Sequence, residues 1–199
     1  MVYSEESSST TEWKYVYQDY AFDKFMNTSD PIWVVNTTQP EAPLCIKDVN
    51  SNMTANNETF FTRSYGKGKN ITEKKLKGKF GYYDEKEAKM YDMMTVFDAI
   101  NLTEVDEETL EYVSQNQECA VVSVMDRSAV YDTTNYGSAV WCDLRVRDQY
   151  LEHTNSSYYA KCLERFNKIV EVTKKNSTLP YSSDCKTQNE ETPKATETT

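Results

Sequence analysis

The chain of 199 residues has a single histidine, His153, and no Cys-x-x-Cys pair. One imidazole in a polar stretch is a poor foundation for a Ser-His-Asp or Cys-His nucleophile. Without Cys-x-x-Cys the commonest structural-metal and redox spacing is absent, so no metal or cofactor is expected. The Gly66-Lys67-Gly68-Lys69 segment lacks the spacing and terminal hydroxyl of a phosphate-binding loop. Asp106-Glu107-Glu108 and Glu190-Glu191 read as solvated acidic runs, not as an acid–base pair held in opposed environments. Nothing here predicts an enzyme.

Basic residues are also in deficit. Lys plus Arg number 22 against 32 Asp plus Glu, a net charge of -10. Nucleic-acid binding needs clustered cations to displace counterions, so that class is excluded. The one local exception is Lys67, Lys69, Lys74, Lys75, Lys77 and Lys79, which reads as a solvated basic hairpin. No window approaches the roughly 20 apolar residues of a bilayer span, so membrane insertion is not expected. Val2 to Thr11 is mostly polar and forms no secretory leader core, which leaves the compartment to other features. There is no internal repeat.

What is present is Tyr, at 15 residues, within a chain that is 38% hydrophobic and 13% aromatic. That suffices for one core and suits half-buried pleated surfaces. Asn-x-Ser/Thr signals occur at Asn27, Asn36, Asn52, Asn57, Asn70, Asn101, Asn155 and Asn176. Five widely spaced cysteines, Cys45, Cys119, Cys142, Cys162 and Cys185, accompany them. Both features independently predict a secreted, glycosylated, disulfide-braced protein.

Residues 1–14 are expected to be a flexible N-terminus and 186–199 a disordered tail, flanking one domain over 15–185. Tyr17, Tyr20, Ala21, Phe22 and Phe25 predict a short helix, broken by Asn27-Thr28-Ser29-Asp30-Pro31. A later helix starts from a Ser156 or Ser157 cap and carries the stripe Cys162, Leu163, Phe166, Ile169 and Val170. Between them, eight short runs predict strands at 32–36, 45–49, 59–64, 76–83, 89–97, 109–113, 119–125 and 139–146. Evenly spaced strands without interleaved helices point to an all-β antiparallel barrel or sandwich, and the late helix favours a barrel with a helix packed on its side.

Several segments carry a resemblance: Asn27-Thr28-Ser29-Asp30-Pro31-Ile32-Trp33-Val34-Val35-Asn36 leading to Cys45; Glu118-Cys119-Ala120-Val121-Val122; Cys142-Asp143-Leu144-Arg145-Val146; Cys162-Leu163-Glu164-Arg165-Phe166-Asn167; and Ser183-Asp184-Cys185. In this order, over about residues 15–185, they resemble the salivary lipocalins of ticks, the group that includes the histamine-binding proteins. The resemblance implies an eight-stranded antiparallel lipocalin barrel secreted in saliva, with bridges Cys45–Cys185 and Cys119–Cys162. Cys142 is then left as a free thiol, an intermolecular bridge, or a partner for Cys119 in another scheme.

It also implies capture of a host mediator in the barrel, modulating inflammation or immunity. Amine-binding members direct acids into the lumen from a Cys-Asp pair and a Glu-Leu-Trp. This chain has Ala120, Asp143 and Arg145 at those places. Alternation puts Trp141, Asp143, Arg145 and Arg147 on one face of the last strand, with Ala120, Val122 and Val124 lining its neighbour. Trp33, Tyr82, Tyr91, Phe97 and Tyr112 are further candidates for the lumen wall. The expectation is a largely apolar cavity with one cationic contact, suited to an eicosanoid, fatty acid or sterol ahead of histamine or serotonin. The rival expectation is a scaffold that engages a host immune protein or cell.

Overall fold

The computed structural model describes residues 21–84, 90–129 and 139–187. The expected flexible N-terminus, the start of the first helix and the tail from residue 188 lie outside the described residues.

Eight strands follow one another: β1 Ile32–Thr37, β2 Lys47–Met53, β3 Glu58–Tyr65, β4 Thr72–Gly81, β5 Met93–Asp98, β6 Glu104–Val113, β7 Cys119–Asp126 and β8 Val140–Arg147. Each pairs antiparallel with the next, and β8 pairs with β1 to close the barrel. Every run expected from sequence is a strand. The largest difference is β6, which begins at Glu104 rather than at residue 109 because its first half is acidic and shows no apolar alternation. Closure removes both sheet edges, and register shifts in β1, β2, β5 and β6 supply local curvature.

Alternation sorts side chains between two apolar clusters. Ala120, Val122 and Val124 of β7 join Phe61, Leu76, Phe80, Met94, Val96 and Leu110 inside the barrel. Cys119 and Val121 face outward with Leu144 and Val146 of β8. A methyl group at Gly78 would stand 2.4 Å from the Met94 sulfur, so its bare Cα lets Met94 fill the interior.

Helix α1, Phe22–Met26, closes one end, with Phe22, Phe25 and Met26 fully buried. Its docking is polar as well as apolar. Phe22 N–H donates to the Tyr91 carbonyl at 2.8 Å, and Asn50 Nδ2 donates to the Met26 carbonyl at 2.7 Å. Arg147 Nη2 donates to the carbonyls of Lys24 and Phe25, both at 2.8 Å, placing a cation at the negative end of the helix.

Helix α2, Ser157–Thr173, lies on the outer wall. Ser156 caps it by accepting from Tyr159 N–H at 3.0 Å, and the helix ends at Lys174, which is left-handed with φ 54°. Cys162 and Phe166 are buried against the outer cluster, with Leu163, Ile169 and Val170 flanking them. A short helix α3, Asp184–Thr187, carries the last cysteine. The bridges are Cys45–Cys185 and Cys119–Cys162. Cys142 is a buried free thiol on the outer face of β8, which decides among the alternatives left by sequence. All the Asn of the Asn-x-Ser/Thr signals are exposed except Asn36, which is half-buried within β1.

Candidate functional site

The barrel interior has two zones. Toward α1 it is apolar; across its middle it carries charge. Arg145 of β8 is buried and donates from Nη1 to Glu108 Oε2 at 2.7 Å and from Nη2 to Glu108 Oε1 at 3.0 Å. Its Nη2 also reaches Asp143 Oδ2 at 3.1 Å. Arg63 of β3 grips Asp48 of β2 through Nε and Nη2, both at 2.8 Å. Nη2 of the same guanidinium meets Glu108 Oε1 at 2.8 Å, and Nη1 meets Asp106 Oδ2 at 3.2 Å. Glu108 therefore bridges the two arginines. Thr37 Oγ1 donates to Asp143 Oδ1 at 2.7 Å and tethers the network to β1.

Two guanidiniums face four carboxylates in this network, a formal charge of -2. The members respond differently to that imbalance. Burial opposes charge on Glu108, but Arg145 and Arg63 outweigh it and pull its pKa down to about 2. At Asp106 burial prevails over the pull of Arg63, with Glu108 and Asp126 reinforcing it, and the pKa rises to about 6. Burial also raises Asp143, against Arg145 and Thr37. Asp106 and Arg63 are the members solvent reaches, their side chains being 10% and 14% exposed. Glu108 and Arg145 are at 0% and 1%.

This interior corrects the expectation of a largely apolar cavity with one cationic contact. Trp141, Asp143, Arg145 and Val122 do face inward, as alternation predicts. Arg145, however, is consumed by Glu108 and Asp143, and a second arginine and two further acids, Asp48 and Asp106, share the space. The preference for an anionic lipid loses its basis, because a carboxylate entering here would meet a surplus of carboxylates.

The aromatic candidates separate. Tyr91 packs against the inner cluster near α1, stacked on Tyr82 with centroids 5.0 Å apart. Trp33 lies on the outer face instead, edge-on to Tyr181, with Nε1 donating to Asp148 Oδ1 at 2.7 Å. Tyr112 is also outside, beneath Arg165, because a register shift after Leu110 reverses the parity of β6. Phe97 follows the inward Val96 and so takes the outer face of β5. These three do not wall the lumen. His153 is exposed in the loop before α2.

Asp48, Arg63, Asp106 and Glu108 were not among the expected site residues. Reading Asp106 and Glu108 as a solvated run is corrected: only Glu107 between them faces outward, while Asp106, Glu108 and Leu110 turn inward at steps of two. That period-two relation to Leu110 was the one signal available. Among the described residues no group of three or more His, Cys, Asp and Glu has metal-binding geometry.

No protein-family model and no curated sequence matches the chain. Similarity appears in structure. The crystal structure of an AM182–serotonin complex aligns with a TM-score of 0.58 at 16% identity, covering 84% of this chain and 94% of that one. A deswapped triple mutant of bovine odorant-binding protein gives 0.47 at 10% identity, covering 77% and 93%. Lobster apocrustacyanin A1 gives 0.46 at 14%, covering 80% of each. Only the first is close enough to carry weight, and it agrees with the closed eight-stranded lipocalin fold described above.

Proposed function

We propose that this chain is a secreted lipocalin that sequesters a small organic cation, a biogenic amine such as serotonin or histamine, and so lowers a mediator of host inflammation. The carrying observation is the interior charge of four carboxylates against two guanidiniums, with Asp106 the acid nearest solvent. An ammonium beside Asp106 would supply part of the missing positive charge, and Trp141 on the same inner wall offers an aromatic face. AM182, which shares the fold, was crystallised with serotonin. The protein acts by binding and not by turnover. Its disulfides and exposed glycosylation signals support an extracellular setting.

Titrating the full chain with serotonin, histamine, a long-chain fatty acid and cholesterol tests this reading. An amine should bind at micromolar concentration or tighter, and Asp106→Asn should weaken it at least tenfold. Binding of the fatty acid or sterol alone, or of none of the four, overturns it.

A further inference from the structure

A groove of about 710 Å³ lies outside the barrel, between α2, the β6–β7 turn and α1. Its charge opposes that of the molecule. Lys24, Lys161, Arg165 and Lys168 line it, and Glu164 is the one carboxylate among its lining residues, in a chain of net charge -10. Lys161, Arg165 and Lys168 are exposed at i, i+4 and i+7 on α2, so they share one helix face with axial steps of about 6 and 4.5 Å. The rest of the lining is suited to sugars. Tyr158 offers a ring face, Tyr112 lies beneath Arg165, and Gln115 and Gln117 offer amides that both donate and accept. None of the eight glycosylation signals falls on a lining residue.

We propose that this groove binds a sulfated glycan chain. Sulfates would pair with the α2 cations and Lys24, a sugar ring would stack on Tyr158, and the glutamines would take hydroxyls. A volume within the roughly 300–1,000 Å³ of ligand sites accommodates a short segment of such a chain. Three cations along one helix face suit a linear polyanion better than a single carboxylate, and the polar lining disfavours a lipid tail. The other basic surface is less favourable. Lys75, Lys77 and Lys79 lie on the convex outer face of β4 and not in a groove; ion pairing does not separate the two surfaces, since Lys77 meets Glu58 at 2.8 Å and Lys168 meets Glu164 at 2.7 Å. The proposal does not depend on what the barrel holds.

The test is calorimetric titration of the full chain with a heparin hexasaccharide, its desulfated counterpart and a poly-Glu peptide, at low and physiological salt. The hexasaccharide should bind, and more weakly at higher salt. Combined K161Q, R165Q and K168Q should reduce affinity at least tenfold, and K24Q alone about threefold, whereas combined K75Q, K77Q and K79Q should leave it unchanged. The proposal is overturned if the hexasaccharide does not bind, if poly-Glu or the desulfated sugar binds as tightly, or if the β4 variant loses binding while K24Q and the α2 variant keep it.

Discussion

Glu108 is fully buried and accepts hydrogen bonds from both interior arginines, while Asp48 is gripped by Arg63 and lies 3.8 Å from Arg145. Glu108→Gln removes the charge-assisted hydrogen bonds that both guanidiniums make to it while Asp48, Asp106 and Asp143 still balance their charge, so it should cost about 1.5–3 kcal/mol in urea unfolding. Asp106 behaves in the opposite sense. Its pKa rises on folding from 3.8 to about 6, so the folded chain holds a proton there that the unfolded chain releases. The stability this group contributes is fully present below about pH 4 and is lost as pH rises through 6. The shift corresponds to about 3 kcal/mol. Unfolding curves at pH 4, 5, 6 and 7 should show a decline that Asp106→Asn flattens. Glu108, whose pKa falls to about 2, gives stability that is present above pH 4.5 and lost only as pH drops through 2, so the two windows separate.

At the scale of elements, the outer wall depends on cross-links. The Cys119–Cys162 bridge ties α2 to β7 across 43 residues, and Cys45–Cys185 ties the end of the described chain to the segment before β2 across 140. In the chain-entropy description these closures are worth about 4 and 5 kcal/mol. Replacing each pair with serine should lower the urea-extrapolated stability by those amounts, the longer loop costing more. Elements also differ in how plainly the sequence announces them. β7 is legible, because apolar residues fill both faces of a short run with cysteine-anchored neighbours. The first four residues of β1 are buried on both faces, so alternation could not tell that Trp33 and Val35 turn outward while Ile32 turns inward. β6 is hidden for a different reason. Inward-facing acids look solvated until Arg63 and Arg145, 45 and 37 residues from Glu108, are brought beside them. The shift after Leu110 then reverses the face of Tyr112, and nothing in local composition signals it.

For the molecule as a whole, the fold was legible in the hydrophobic periodicity and the family-like segment order, while the cysteine pairing was implied by the resemblance alone. The character of the interior was not, since it depends on ion pairs between strands far apart in sequence. The barrel therefore presents an apolar floor at α1 and a charged middle with two acids in excess, in which Asp106 and Arg63 retain slight solvent contact. The most direct test is titration with serotonin, whose primary amine stays protonated, at pH 5, 6 and 7 in buffers of differing ionisation enthalpy. Binding that requires the Asp106 carboxylate should release a proton near pH 6 and tighten about tenfold between pH 5 and 7. Affinity that is flat with pH, or that rises toward acid without proton release, would contradict an acidic interior built to hold a cation.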